Sequence, residues 1–190
     1  MASTFKNMSD WHHLWWKQYK GAYPQFYLNH CCSYKEKIEI SIDIDYLKNE
    51  FVNHNGKKVI ALSAEGRLSN KQYPHADKLK TELENAGYFV WSQFDGSSDM
   101  LATLSRLHYT NLLITVPTAT QWLAKLVDCP SLIIPGPLPP EIVAGELVVD
   151  QSTQCQYCFQ KDCINEIEFL CMDIEPIKIV KQVNKFFNSV

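Results

Sequence analysis

From Lys57 to the end of the chain, short β-type runs alternate with helical segments, and this order constrains the fold more than any other feature. Lys58–Ser63 reads as a buried-type strand, because its apolar run Val59–Leu62 is too short for a helix. Pro74 opens a helix through Ala86 and Gly87 ends it, with proline inside the start and glycine just past the end. Tyr88–Gln93 is the next strand, and Ser98 or Asp99 caps a helix to about His108. Asn111–Val116 is a third strand, and Thr118 or Thr120 begins a helix ending near Asp128. Ser131–Ile134 and Leu147–Val149 follow as strands, separated by the proline-rich loop PGPLPP, and Glu175–Asn188 closes the chain as an amphipathic helix. Such alternation predicts an α/β fold, a Rossmann-like parallel sheet with flanking helices. Ligands of these sheets sit beyond the C-terminal strand ends, against helix N-termini. The loops at 63–74, 93–98 and 116–120 fall there.

Residues 1–56 differ from residues 57–190 and read as an N-terminal extension. Trp11, Leu14, Trp15 and Tyr19 recur at helical spacing, which predicts an aromatic-faced helix over about 9–20. Ile38, Ile40, Ile42 and Ile44 alternate with polar residues, which predicts a strand with one wet face. A short helix around 45–53 and a turn at Asn53–Gly56 complete the segment. The aromatic stripe is an expected surface for a protein partner or a homo-oligomer.

The chain has 190 residues, enough for one domain, or one with an extension, to bury a core without disulfide staples. A net charge of −3 gives no bulk attraction to phosphate backbones, so nucleic acid is not expected as a partner. No apolar run reaches the roughly 20 residues of a membrane span. The first residues lack the charged-then-apolar order of a signal peptide, so a cytoplasmic location is expected.

Four of the seven cysteines, Cys155, Cys158, Cys163 and Cys171, fall in one run, CQYCFQKDCINEIEFLC. A reducing compartment favours thiols or metal ligands over disulfides. Four soft thiolates suit one tetrahedral zinc or iron ion, and a closed four-ligand shell makes the role structural. Free buried thiols and disulfides are the competing readings. Cys31-Cys32 and Cys129 read as packing or surface thiols.

The segment KKVIALSAEGRLSNKQYPHADKLKTELENAGYFV resembles the donor-binding half of the heptosyltransferases, glycosyltransferase family 9. Lys71-Gln72-Tyr73-Pro74 stands where that family has Lys-x-Trp-Pro. Pro117-Thr118-Ala119, two residues, then Trp122-Leu123-Ala124 stands where it has Asp-Thr-Gly, two residues, then His-Leu-Ala. CPSLIIPGPLPP is similar to its strand and Gly-Pro loop, and the cysteine run followed by Ile174-Glu175-Pro176 is similar to its C-terminal cysteines and Ile-x-Pro. Autotransporter heptosyltransferases are similar in carrying a four-cysteine iron site.

The resemblance covers about residues 57–190 and implies one half of a B-type glycosyltransferase that binds a nucleotide-sugar donor. By it Lys71 inherits a donor-phosphate contact, and Thr118 a phosphate-side position shared with Thr120. Glu65, Arg67 and Ser69 lie in the same loop as Lys71, within expected reach of the diphosphate or ribose. The departures are Pro117, Ala119 and Trp122 in place of the family's aspartate, glycine and histidine. The acceptor-binding half, which holds the family's general base, has no counterpart in residues 1–56. The expected function is therefore nucleotide-sugar binding in glycosyl transfer, with a second subunit supplying the acceptor site. The competing expectation is a degenerate binding, scaffold or nucleotide-sequestering protein on the same fold. Turnover is left open, and no catalytic residue is assigned. His12 and His13 read as solvated or capping residues, and His75, at the mouth of the donor loop, reads as solvated at a helix start, with a ligand contact as the competing reading.

Overall fold

The computed structural model describes residues 28–29, 32–36, 42–49, 51, 54–140, 143, 145–155, 157–158, 160, 162–163 and 169–189. Among these, five strands form one parallel sheet: β1 (Val59–Ser63), β2 (Phe89–Trp91), β3 (Leu112–Thr115), β4 (Ser131–Ile133) and β5 (Leu147–Val148). Their order is β2-β1-β3-β4-β5. The crossovers contain α1 (Ala76–Asn85), α2 (Met100–His108) and α3 (Ala119–Leu126), and α4 (Pro176–Ser189) closes the chain.

Both sheet faces are covered, which is why β1, β3 and β4 read as unbroken apolar runs. Alternate residues of a strand point to opposite faces. Ile60, Leu62, Leu112 and Ile114 pack with Leu79 and Leu83 of α1 and with Ile179 and Val183 of α4. Val59, Ala61 and Leu113 pack on the other side with Leu104 and Leu107 of α2 and Ala124 of α3. The helices form because their apolar residues repeat three or four apart, as Leu79 and Leu83 do in α1. Asp99 caps α2 by accepting a hydrogen bond from the Ala102 N–H at 2.7 Å. Pro176, whose ring presets a helical φ, is the first residue of α4. These elements and the parallel α/β architecture agree with the sequence reading.

The N-terminal segment departs from it where it is described. Ile44–Tyr46 is a 3-10 turn, not the end of a strand, because the Asp43 carboxylate accepts from the Asp45 N–H at 3.0 Å. No helix spans the described part of 45–53. Asn49 Oδ1 takes the Phe51 N–H at 2.9 Å, a local bond that competes with helix formation. This stretch packs on the α2–α3 side: Leu47 is buried there, and Phe51 stacks against Phe89 and Trp91 at 5.9 and 5.8 Å. The expected helix at 9–20 and most of the expected strand at 38–44 lie outside the described residues.

Candidate functional site

From β1 the chain crosses to β2 on one side and then returns past β1 to β3 on the other, so the strand order reverses between β1 and β3. That switch point opens a crevice beyond the C-terminal ends of β1 and β3, where Ser63 and Thr115 are paired in register. Two connections meet above it.

The first, after β1, folds back on itself as a short arm. Tyr73 N–H donates to the Ala64 carbonyl at 2.9 Å and Gly66 N–H to the Lys71 carbonyl at 2.6 Å, with Glu65 and Gln72 bridged antiparallel. A 3-10 turn, Ser69–Lys71, closes the tip. Gly66 is needed because a Cβ there would stand 2.6 Å from Lys71 Cβ, 2.8 Å from Lys71 O and 3.2 Å from Thr118 Cγ2. The arm therefore lies directly on the second connection, the turn from β3 into α3. Its base is fastened to the start of α4. Tyr73 donates to the Ile174 carbonyl at 2.6 Å, and His75 Nε2 stands 2.6 Å from Asp173 Oδ1. Burial, with the charges of Glu175 and Asp173, pushes the Tyr73 phenol upward, so it stays a neutral donor.

Arg67, Lys71, Pro117, Thr118 and Ala119 line a cleft of about 460 Å³. A contiguous cleft of about 260 Å³ runs on past Lys71 to Gln121, Trp122, Leu138 and Val143. Lys71 is half-buried, and desolvation holds its ammonium below the ordinary lysine value of 10.5. Among the described residues no carboxylate forms a salt bridge with it. Thr118 is the N-cap residue of α3, but its side chain makes no capping bond. Its hydroxyl lies 3.4 Å from that of Thr115. The first N–H groups of α3 and the positive end of its dipole thus face the same cleft as Lys71. A cation without an ion pair among the described residues and a helix start without a side-chain cap, at a glycine-permitted close approach, suit an anionic ligand.

Of the five binding residues expected from sequence, Lys71, Thr118 and Arg67 converge on this cleft. Thr120 does not line it. It is buried against the sheet, where the Ser63 hydroxyl donates to it at 3.1 Å. Ser69 lines a separate cleft of about 500 Å³ with Glu65, Tyr73 and Asp173. Two buried polar side chains escaped the sequence reading. Gln121 is 4% exposed, lines the Lys71 cleft, and its Oε1 has no hydrogen-bond partner among the described residues. Asn70 is 6% exposed and donates from Nδ2 to the Gln160 carbonyl at 2.7 Å. A polar residue on the inner face of α3 was the available signal for Gln121. Asn70 gave none.

Cys155, Cys158 and Cys163 are half-buried, Cys171 is buried, and all four are free of disulfides. Among the described residues no three histidine, cysteine or acidic side chains stand as a ready metal cage. The four thiols nonetheless share one neighbourhood. Burial, followed by the charges of Cys158, Cys155 and Cys163, pushes the Cys171 thiol up to about 11. Gln160 N–H donates to Cys158 Sγ at 3.5 Å. Cys129 is packed in the core, with Sγ 3.6 Å from the Thr110 carbonyl.

No family model and no curated protein matches the chain. Its fold does match solved structures. One is TibC, a bacterial iron-containing dodecameric glycosyltransferase from enterotoxigenic E. coli, with TM-score 0.65 and 15% identity over 82% of this chain and 50% of that one. A second structure, the dodecameric iron-containing heptosyltransferase TibC in complex with ADP-D-β-D-heptose, has TM-score 0.68 and 14% identity over the same shares. A family 9 glycosyltransferase from Veillonella parvula aligns over 70% of this chain and 47% of its own, at 12% identity and TM-score 0.49. At such identities the likeness to TibC shows the fold alone: the parallel α/β sheet with flanking helices is similar to that of TibC, the fold that the sequence resemblance implied. The chain spans half the length of the TibC structures it matches. Among the described residues no helix is long and apolar enough to cross a membrane.

Proposed function

We propose that this chain is the nucleotide-sugar-binding half of a heptosyltransferase-like glycosyltransferase, and that the Lys71 cleft takes the donor diphosphate. One observation carries this reading: a lysine with no ion pair among the described residues and a helix start with no side-chain cap line one cleft at the switch point, brought together by Gly66. Lys71 supplies a point charge, α3 supplies N–H donors, and Arg67 lies at the open side for the second phosphate or the ribose. In glycosyl transfer the nucleoside diphosphate is the leaving group. The same groups are placed to take up its growing negative charge.

Neither cleft around Lys71 is lined by a carboxylate or an imidazole among the described residues. The base that activates the acceptor would then come from a second subunit or chain. The dodecameric assembly of the neighbour TibC supports such an arrangement. The alternative is a degenerate binding or scaffold protein, favoured by Pro117, which offers the ligand neither charge nor N–H. Calorimetry of the purified chain with ADP, UDP and their sugars tests the reading. It expects saturable heat with at least one of them, and loss of that heat in Lys71→Met. No heat with any nucleotide would end it.

Cys155, Cys158, Cys163 and Cys171 would hold zinc or iron. The donor set fits by its chemistry: four soft sulfur ligands suit one tetrahedral zinc or iron ion. The ion would pin residues 155–171 and take no part in the reaction.

A further inference from the structure

Past Lys71 the cleft holds a buried glutamine that no described residue answers. Gln121 stands in the first turn of α3, 4% exposed, in the wall of the 260 Å³ chamber. Its Oε1 is buried without a partner, and its Nε2 makes no hydrogen bond to a described residue. A buried amide is normally paired, because leaving it unpaired is costly. Here it presents a donor and an acceptor side by side to the chamber. The other walls are apolar. Trp122 is half-buried beside it, and Pro117 offers neither charge nor N–H. Leu138 and Val143 face them from the segment after β4. Two turns hold that segment, with the Leu138 N–H on the Pro135 carbonyl and the Val143 N–H on the Pro140 carbonyl, each at 3.2 Å.

We propose that this chamber is a specificity pocket for an acetamido sugar, with Gln121 reading the sugar's amide. The inference rests on the diphosphate reading above and names the sugar class of that donor. Size sets the direction of the ligand. Whole-ligand pockets run from roughly 300 to 1,000 Å³, so a chamber of about 260 Å³ takes one ring with its substituent. The nucleoside then lies towards Arg67 and the sugar towards Gln121. A ring bearing only hydroxyls would lose water from each of them against apolar walls and regain bonds at a single amide. An acetamido group matches what the chamber offers. Its N–H donates to Gln121 Oε1, its carbonyl accepts from Nε2, and its methyl suits the wall of Leu138 and Val143. Trp122 gives the ring an apolar face.

The test has two arms, both on the full chain. In the first, calorimetry compares UDP-N-acetylglucosamine with UDP-glucose, beside UDP and ADP alone. The acetamido donor is expected to bind the wild type about tenfold or more tighter, the effect of one or two neutral hydrogen bonds. In Gln121→Leu that preference should fall below about twofold, less than one such bond. It is read as a ratio within one variant, so a general loss of affinity cancels. Gln121→Met serves if the leucine variant does not fold. In the second arm, the Trp122 indole NMR signal, assigned by its loss in Trp122→Phe, should shift with free N-acetylglucosamine and not with glucose at equal concentration. This arm decides where UDP donors do not bind. Equal affinity for the two donors, or an equal shift with both sugars, overturns the inference. So does a shift with uridine or adenosine and with neither sugar, because the base then fills the chamber. Silence in both arms overturns it together with the diphosphate reading. An indole shift with N-acetylglucosamine in a chain that binds no nucleotide refutes the diphosphate reading alone.

Discussion

Lys71 and Thr118 meet at the end of the sheet because the residue between them, Gly66, has no side chain. Its α-carbon leaves so little room that an added methyl would fall 2.6 Å from Lys71 Cβ and 3.2 Å from Thr118 Cγ2. The nearest obstacles include the Lys71 carbonyl at 2.8 Å, which is backbone and cannot rotate away. Gly66→Ala is therefore expected to destabilise the protein by about 1–3 kcal/mol, the usual cost of overpacking. It should also break the 2.6 Å bond from Gly66 N–H to Lys71 O and weaken nucleotide binding. Urea unfolding and calorimetry with ADP check the two effects. Full stability with full affinity would show that the arm is not held as described.

Lys71 should behave as a lysine kept at a disadvantage. Desolvation lowers its folded-state pKa, so the unfolded chain binds its proton more readily. The sign follows: this lysine costs stability while charged, and the cost is relieved as pH rises from the lowered value towards 10.5. Lys71→Met is thus expected to raise the urea midpoint at neutral pH while lowering affinity for a nucleoside diphosphate about 10–100-fold, the loss of one charge-assisted bond. Wild-type affinity should fall with rising pH before ordinary lysines titrate. A variant that is both less stable and equally avid would contradict the assignment.

The sheet and its helices were legible because their signals are local. Pro74 and Gly87 bracket α1, Asp99 caps α2, and the two-sided burial of β1, β3 and β4 writes itself as apolar runs. The alternation of Ile38, Ile40, Ile42 and Ile44 looked equally local, yet Asp43 turned Ile44 into a 3-10 element through its own side chain. At the site, Lys71 and Thr118 were legible through the order of motifs. Ser69 lies in the same arm as Lys71 and Thr120 in the first turn of α3, but Thr120 faces the sheet and Ser69 a different cleft. Asn70 was illegible, since what defines it is a distant carbonyl, whereas Gln121 showed itself only as a polar residue on the inner face of α3.

The cysteine segment yields a prediction independent of any nucleotide. Reconstitution with zinc or ferrous iron should load about one ion per chain, as four thiolates close a tetrahedral shell. At a thousandfold excess over the dissociation constant, that binding would stabilise the fold by about 4 kcal/mol. Cys158→Ser should lower the metal content and abolish most of the gain in melting temperature. Cys129→Ser, at a thiol packed in the core away from this cluster, should leave the metal content unchanged. Elemental analysis with thermal melts separates the two. Equal metal content in both variants would refute the ligand set.

Gln121 sets stability against binding at one atom. Its Oε1 is buried in the wall of the Lys71 cleft without a donor, an arrangement that costs about 1–3 kcal/mol in the free protein. Leucine has a similar reach and no polar group to leave unpaired. Gln121→Leu is accordingly expected to stabilise the unliganded chain by about 1 kcal/mol, read as a higher urea midpoint at unchanged slope. If a donor hydroxyl or amine completes Oε1 in the complex, the same substitution weakens the nucleotide sugar about tenfold, one neutral hydrogen bond's worth. Stability gained without affinity lost would place the ligand elsewhere in the cleft. Stability lost would mean that Gln121 is held by a contact its burial conceals.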